Sequence, residues 1–245
     1  MEMLLYCCLG LYRLVMMLVL DRVEYKLGKS DLLAVYSSLF NAYGSQHWWP
    51  GDTPFEVMVG AILTQNTAWP NVEKAIINLK QADTLTLAGL CSIPHEQLAT
   101  LIKPSGYFNI KAKRLICFCR FLQEHGGEDG LGQLETLELR RALLGVNGVG
   151  PETADDMLLY AFHRPVFVID AYTRRIFSRL GMIKGDEPYE ELRSGFELSL
   201  GPDVVVYNEY HALIVRHAKN HCRVKPACTG CCLTSWCAIP LGEEC

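Results

Sequence analysis

Apolar residues recur every three or four positions along most of the chain, which is the spacing that buries one face of an α-helix. In the segment 30–43 this spacing places Leu32, Val35 and Leu39 on a common face. The segment 55–67 is apolar on nearly every side. The pattern therefore predicts an amphipathic helix in the first segment and a helix buried in the core in the second.

The same spacing continues through the rest of the chain, in the segments 71–81, 111–125, 134–145, 171–181, 189–200 and 207–222. The one short run rich in β-branched residues, at 164–170, is too brief to imply a sheet. No alternation of apolar and polar residues recurs elsewhere, as repeated strands would require. We therefore predict an all-α fold of about ten to twelve helices of ordinary length.

Composition narrows the class of protein only a little. The chain has 245 residues and a net charge of -4, so any surface that binds nucleic acid must be a local basic patch. It has eleven cysteines, five of them between residues 222 and 237. An odd count with such clustering argues against a secreted disulfide framework. It favours a metal site in a reducing compartment.

The first twenty residues are strongly apolar, but they lack the features of a signal peptide or a membrane span. Glu2 precedes the apolar run, Arg13 interrupts it and Asp21 follows it. A signal peptide needs basic residues first, and a membrane helix needs about 20 uninterrupted apolar residues. We expect a terminal helix packed on the body, or translation that starts at Met16 or Met17, and no membrane partner.

Three glycines fall within the segment 143–156, at Gly145, Gly148 and Gly150, and Pro151 follows them directly. Glycine lets backbone N–H groups approach a ligand closely, and proline suits the first turn of the next helix. The N-terminus of that helix attracts anions. The segment therefore predicts a cradle for a phosphate diester, and the alternative is a plain corner between two helices.

The hairpin, the segment VID at 168–170 and the final cysteines occur in an order that resembles the endonuclease III superfamily of helix-hairpin-helix DNA glycosylases. The resemblance spans residues 55 to about 237 and implies two helical domains with the active-site cleft between them. Residues 46–164 would form a six-helix barrel that contains the hairpin. Residues 23–45 and 165–245 would form an iron–sulfur domain, and residues 1–22 are an apolar extension.

Four of the clustered cysteines, Cys222, Cys228, Cys231 and Cys237, have the spacing C-x5-C-x2-C-x5-C. Four thiolates in one loop suit zinc or an iron–sulfur cluster. Only one CxxC pair is present, whereas structural zinc sites usually have two, so the spacing favours a [4Fe–4S] cluster like that of endonuclease III. The family loop usually has six residues between its first two cysteines, whereas this chain has five. Cys232, next to Cys231, is a competing ligand.

The resemblance assigns the catalytic role to Asp170, which also suits the N-cap of the following helix. A carboxylate there would stabilise the positive charge that develops on the sugar when an N-glycosidic bond breaks. Related enzymes that also cut the strand carry a lysine where this chain has Glu152, and a carboxylate forms no Schiff base. The glutamate that mismatch adenine glycosylases use is replaced by Ala61, so the resemblance implies a monofunctional enzyme for bases that leave readily.

The tryptophans indicate which base is removed. The segments 47–76 and 104–115 most resemble the 3-methyladenine branch of the superfamily, in which aromatic side chains sandwich the extruded base. The corresponding residues are Trp48, Trp49 and Trp69, and core packing is the alternative role for them. A cationic purine gains both stacking and cation–π attraction between indoles. Gln65 and Asn66 would fill the vacated space in the duplex or probe the opposite base.

The leading hypothesis is thus a DNA glycosylase that acts as a monomer on damaged duplex DNA in the cytoplasm, associated with the nucleoid. Two alternatives remain, a bifunctional glycosylase/lyase for oxidised pyrimidines and a non-enzymatic iron–sulfur sensor of DNA damage. The residues expected to contact phosphates are Gly148, Gly150, Lys111, Arg223 and Lys225.

Overall fold

A computed structural model describes residues 27–48 and 51–238. Within these residues the chain forms twelve α-helices and no β-strand, which confirms the predicted all-α fold. The helices are α1 (Lys29–Tyr43), α2 (Pro54–Leu63), α3 (Trp69–Gln81), α4 (Leu87–Ser92), α5 (His95–Leu101), α6 (Phe108–Glu124), α7 (Gly127–Gly132), α8 (Thr136–Leu144), α9 (Pro151–Asp156), α10 (Ala171–Arg179), α11 (Tyr189–Leu200) and α12 (Val204–Asn220).

Local sequence explains where several helices begin. Thr53, Asp170 and Asp203 each cap a helix by accepting a backbone N–H of the first turn, as short polar side chains commonly do at this position. Pro54 and Pro151 occupy the first turns of α2 and α9, where the missing N–H costs nothing. These helices therefore begin where capping side chains and prolines in the sequence favour a first turn.

Helix α2 lies at the centre of the molecule. Eight of its ten residues are buried, and it packs against α3, α6, α9 and the π-helical turn Met157–Ala161 that continues α9. A helix buried on most sides must be apolar on most sides, as predicted for the segment 55–67. Because α2 packs against α9, the loop that follows α2 lies against the hairpin and the first turn of α9.

The two ends of the described chain come together. Helix α1 packs against α11 and α12, and the hydroxyl of Tyr210 on α12 donates to the carbonyl of Leu32 on α1. This pairing agrees with a domain built from both ends of the chain, although the domain boundaries stay a prediction. The predicted N-terminal helix lies outside the described residues. Across the described ranges, no helix is both long enough and apolar enough to span a bilayer.

Candidate active site and DNA interface

A cleft of about 460 Å³ opens between the loop after α2 and the helices α9, α10 and α12. Its walls combine aromatic rings with titratable side chains. This composition is typical of a site that binds a flat ligand and performs chemistry on it. The residues that line the cleft include Trp48, Ala61, Asn66, Trp69, Glu152, Asp156, Tyr160, Asp170, His211 and Lys219.

Asp170 lies in this cleft at the start of α10 and is 9 % exposed. Its Oδ1 accepts hydrogen bonds from the backbone N–H and the hydroxyl of Thr173, at 2.7 and 2.8 Å. The cap therefore occupies one carboxylate oxygen and leaves Oδ2 for other partners. Burial by itself would raise the pKa of Asp170, but His211 and the Thr173 hydrogen bonds outweigh burial and lower that pKa.

His211 is a residue of the cleft that the sequence did not reveal. Its Nε2 lies 3.5 Å from Asp170 Oδ2, and its Nδ1 is hydrogen-bonded to the Tyr160 hydroxyl. Burial by itself would lower the pKa of His211, but the nearby carboxylates, Asp170 first, raise it. A histidine within an amphipathic helix carries no local signal of its role, because only the fold brings Asp170 and Tyr160 next to it.

Two further carboxylates, Glu152 and Asp156, line the same cleft. Burial and the charge of neighbouring carboxylates raise the pKa of Glu152 to about 6 and that of Asp156 to about 8. Glu152 reaches the solvent-exposed rim. The sequence predicts Asp170 as the one carboxylate of the pocket, whereas the structure brings together one ionised carboxylate and two that hold protons more readily.

Trp48 and Trp69 both line the cleft and are half-buried. The Trp48 ring stacks on His211, with centroids 5.7 Å apart and planes 19° apart. Trp69 begins α3, and its ring lies so close to Gly60 that a Cβ there would meet it at 3.6 Å. Trp49 lies outside the described residues. Two of the three predicted tryptophans are therefore in a position to contact a flat base.

Asn66 and Gln65 are adjacent in sequence but have different surroundings. Asn66 is exposed at the edge of the cleft in a left-handed backbone conformation, with φ of 53°. Gln65 instead donates to the carbonyl of Gly148 and the hydroxyl of Thr153, both at 2.9 Å, and accepts from Arg114. The predicted probe role of Gln65 is thus not the role it has in this conformation, because the hairpin occupies its amide.

The hairpin has the backbone geometry that its glycines imply. Gly148 has φ of 91°, a left-handed conformation that favours glycine, and a Cβ there would clash with the Arg114 side chain. Gly150 is the N-cap of α9. Within the described residues, no hydrogen bond uses the N–H group of Gly148 or Gly150. These donors can therefore bind an anion at the start of the helix.

Lys111 is buried and so does not join the predicted phosphate-binding surface in this conformation. Its side chain is 1 % exposed, and its ammonium group donates three hydrogen bonds of 2.7 Å to the Leu63 carbonyl, the Thr67 hydroxyl and the Ser105 carbonyl. Because an ammonium has three donors, none is left for DNA. Burial and the nearby Arg114 lower the pKa of Lys111 to about 8. The lysine instead caps the C-terminal end of α2 by donating to the Leu63 carbonyl.

The cysteine loop follows α12 and packs against the end of α10. Arg179 donates to the Cys222 sulfur at 3.2 Å, and the Arg179 carbonyl accepts from Cys237 at 3.6 Å. Cys231 and Cys232 both contact His217. Over the described part of the chain, no three cysteine, histidine or acidic side chains converge as a metal ion requires. Arg223 and Lys225, from the same loop, are exposed.

The family model described as "HhH-GPD superfamily base excision DNA repair protein" matches residues 59–201, which include the hairpin, Glu152 and Asp170. The chain belongs to the HhH-GPD superfamily. A Methanocaldococcus jannaschii protein that carries the name DNA repair glycosylase MJ1434 is 48% identical over 206 residues, which is 83% of this chain and 94% of that protein.

Two further proteins are similar to this HhH-GPD chain. The endonuclease III of Thermotoga maritima is 31% identical over 185 residues, 75% of this chain and 82% of that protein. The structure of H. pylori 3-methyladenine DNA glycosylase (MagIII) bound to 1,N6-ethenoadenine is similar with a TM-score of 0.68 and 31% identity, and the match covers 78% of this chain and 97% of that one.

Proposed function

We propose that this HhH-GPD chain is a monofunctional DNA glycosylase that releases an alkylated, cationic purine such as 3-methyladenine from duplex DNA. The observation that carries the proposal is the cleft itself, which combines the carboxylate of Asp170 with the indoles of Trp48 and Trp69. A cationic purine between two indoles gains stacking and cation–π attraction. The same cleft thereby supplies both recognition of the base and a charge for the reaction.

The chemistry follows from the position of Asp170. When the N-glycosidic bond breaks, its electron pair leaves with the base, and positive charge develops on the deoxyribose. Oδ2 of Asp170 can face that charge, because Thr173 binds only Oδ1. A water molecule then bonds to the anomeric carbon and gives up a proton to the surrounding solvent. An alkylated purine is neutral once released, so its departure needs no added proton.

Phosphate contacts would hold the duplex over the cleft. The N–H groups of Gly148 and Gly150 at the start of α9, together with Arg223 and Lys225, provide two groups of donors on the surface. Such contacts position a protein on DNA without reading its sequence. Acting as a monomer, the protein would extrude the damaged nucleotide toward Trp48 and Trp69, since the reacting bond lies inside the stacked duplex.

The cysteine loop supports a further part of the proposal, a [4Fe–4S] cluster held by Cys222, Cys228, Cys231 and Cys237. The donor set suits such a cluster, because the loop carries all four thiols and Arg179 already donates to the Cys222 sulfur. The four thiols do not converge on one point in the present arrangement. Binding of a cluster would draw them together. A bound cluster would brace the segment that carries Arg223 and Lys225.

One observation favours a second candidate, a bifunctional glycosylase/lyase. Glu152 replaces the usual lysine, but Lys219 on α12 lines the same cleft and provides an amine. An amine that reaches the sugar can form a Schiff base and lead to strand cleavage. Borohydride trapping on damaged duplex DNA separates the candidates. A cross-link that disappears in Lys219→Gln supports the lyase, and Glu152→Lys is the positive control for an amine in the cleft.

The deciding experiment is a base-release screen with duplexes that contain alkylated, oxidised or deaminated bases. We expect release of 3-methyladenine or a related cationic purine, with an intact abasic site left behind. Asp170→Asn should still bind DNA but lose most turnover, because the amide keeps the shape and removes the charge. Release of oxidised pyrimidines alone would show that the substrate class is wrong. Tight DNA binding with no release of any base would favour the sensor.

A further inference from the structure

His211 lies between Trp48, the proposed platform for the base, and Asp170, the proposed catalytic carboxylate. It is 5 % exposed, and it contacts the hydroxyl of Tyr160 on one side of its ring and the carboxylate of Asp170 on the other. Its flat face stacks on Trp48. One imidazole therefore contacts both the proposed base platform and the proposed catalytic carboxylate, although its helix, α12, carries neither of those residues.

Two polar atoms that face each other in this cleft, His211 Nε2 and Asp170 Oδ2, have unused hydrogen-bonding capacity. His211 Nε2 has no hydrogen-bond partner of good geometry among the described residues, although Asp170 Oδ2 is 3.5 Å away. Buried polar atoms are normally satisfied, and exceptions call for an explanation. Since Thr173 occupies Oδ1 of Asp170, Oδ2 is the oxygen left for His211 and for the reaction.

We propose that His211 is a positioning residue that selects Asp170 as the ionised carboxylate of the cleft, aims its Oδ2 at the sugar, and supports the Trp48 ring against which the base stacks. The proposal rests on the proposed glycosylase function. It explains how three carboxylates share one cleft, since close carboxylates cannot all ionise without a cation near one of them. Of the three, Asp170 is the one in contact with the imidazole.

The groups around His211 determine the pH dependence. Asp170 faces it from α10, Glu152 and Asp156 act on it from α9, Tyr160 contacts it from the π-helical turn, and Lys219 on α12 lines the same cleft. Burial favours the neutral imidazole, but the carboxylates outweigh burial and raise the pKa of His211. The charged pair with Asp170 is therefore present below that raised pKa and is lost as the pH rises through it.

The test is single-turnover base release as a function of pH, measured between about pH 5 and pH 9, where histidines titrate. The wild-type rate should fall on the alkaline side as the imidazolium is lost. His211→Gln retains a neutral N–H donor but cannot titrate. We expect it to lose the alkaline limb and to be slower by about tenfold or more, since a charged partner of Asp170 is lost. His211→Leu should be slower still.

Binding separates positioning from a merely structural role. Affinity for a duplex with an uncleavable abasic-site analogue should stay unchanged in His211→Gln, so that the loss falls on the rate of release. If affinity and rate fall together and the alkaline limb persists, His211 is structural and the proposal is wrong. A His211→Gln enzyme with the wild-type rate and pH profile would also overturn it.

A measurement on the imidazole of His211 itself avoids any dependence on how the His211 variants fold. The imidazole of His211, followed by nitrogen NMR, should titrate above an ordinary histidine, and its pKa should fall in Asp170→Asn. A pKa that does not respond to Asp170→Asn would overturn the pairing. Failure of the glycosylase proposal is distinguishable, because it would appear as no release of any base by the wild type at any pH.

Discussion

The side-chain amide of Gln65 donates to the carbonyl of Gly148 at 2.9 Å, and this bond ties the loop after α2 to the glycine hairpin. The same amide also donates to the hydroxyl of Thr153 on α9, and Arg114 on α6 donates to its carbonyl oxygen. All groups of one glutamine amide thus hold the hairpin, the first turn of α9 and helix α6 together. The predicted phosphate cradle is therefore held in place from the side of the cleft.

Replacing Gln65 by alanine should loosen the hairpin. Loss of its hydrogen bonds should cost about 1–3 kcal/mol in the free energy of unfolding and weaken binding of undamaged duplex DNA. Denaturant unfolding and fluorescence anisotropy measure the two effects. Gln81→Ala, at the exposed end of α3, is the matched control. Unchanged stability and affinity in Gln65→Ala would show that the hairpin holds its shape alone.

Salt dependence should separate the exposed cations from the buried lysine. Arg223→Gln and Lys225→Gln should each lower the slope of log affinity against log salt by about one, the value for one phosphate contact. Lys111→Met should leave that slope unchanged and should reduce stability by about 1–3 kcal/mol, because two carbonyls and a hydroxyl lose their donor. A reduced salt slope in Lys111→Met would mean that the lysine turns outward to the DNA.

Trp69→Ala should weaken the preference for damaged over undamaged duplex by about 1–3 kcal/mol, the contribution of one stacked base. Trp69→Phe keeps a flat ring and should retain most of that preference. Competition binding with an inactive Asp170→Asn background measures both variants without turnover. An equal loss in both variants, accompanied by reduced thermal stability, would indicate that Trp69 acts through its packing on Gly60.

Iron content tests the cysteine loop. The purified protein should be coloured and contain about four iron atoms per chain, as one [4Fe–4S] cluster requires. Cys228→Ser and Cys231→Ser should remove the colour, whereas Cys232→Ser and Cys117→Ser should keep it. A colourless protein with stoichiometric zinc would contradict the cluster. Loss of iron in Cys232→Ser would assign that residue as a ligand in place of its neighbour.

Stability should depend on a buried ion pair between α8 and α9. Arg140 binds both carboxylate oxygens of Asp155, at 2.6 and 3.1 Å, and also binds Glu190 on α11. Asp155→Asn leaves a buried guanidinium without its main partner and should cost about 3–5 kcal/mol. Asp52→Asn removes an exposed partner of Lys80 and should cost less than about 1 kcal/mol. Similar losses in the two variants would refute this assignment.

Several features could be predicted from the sequence because they depend on neighbours along the chain. The helical periodicity predicts the all-α fold, and the glycines at 148 and 150 with Pro151 predict the hairpin and the start of α9. Asp170 caps α10 through Thr173, three residues away, as its position indicates. Each of these features follows from backbone geometry and local hydrogen bonding, which a short stretch of sequence determines.

Other features were decided by contacts between distant segments. Lys111 looks like a surface cation, but the end of α2 and the carbonyl of Ser105 surround its ammonium group. Gln65 is drawn to the hairpin, 83 residues away. His211 becomes part of the cleft because α12 packs beside α10 and the π-helical turn. Burial and charge at a point in space depend on every segment that reaches it, so only the tertiary structure sets the partners of these side chains.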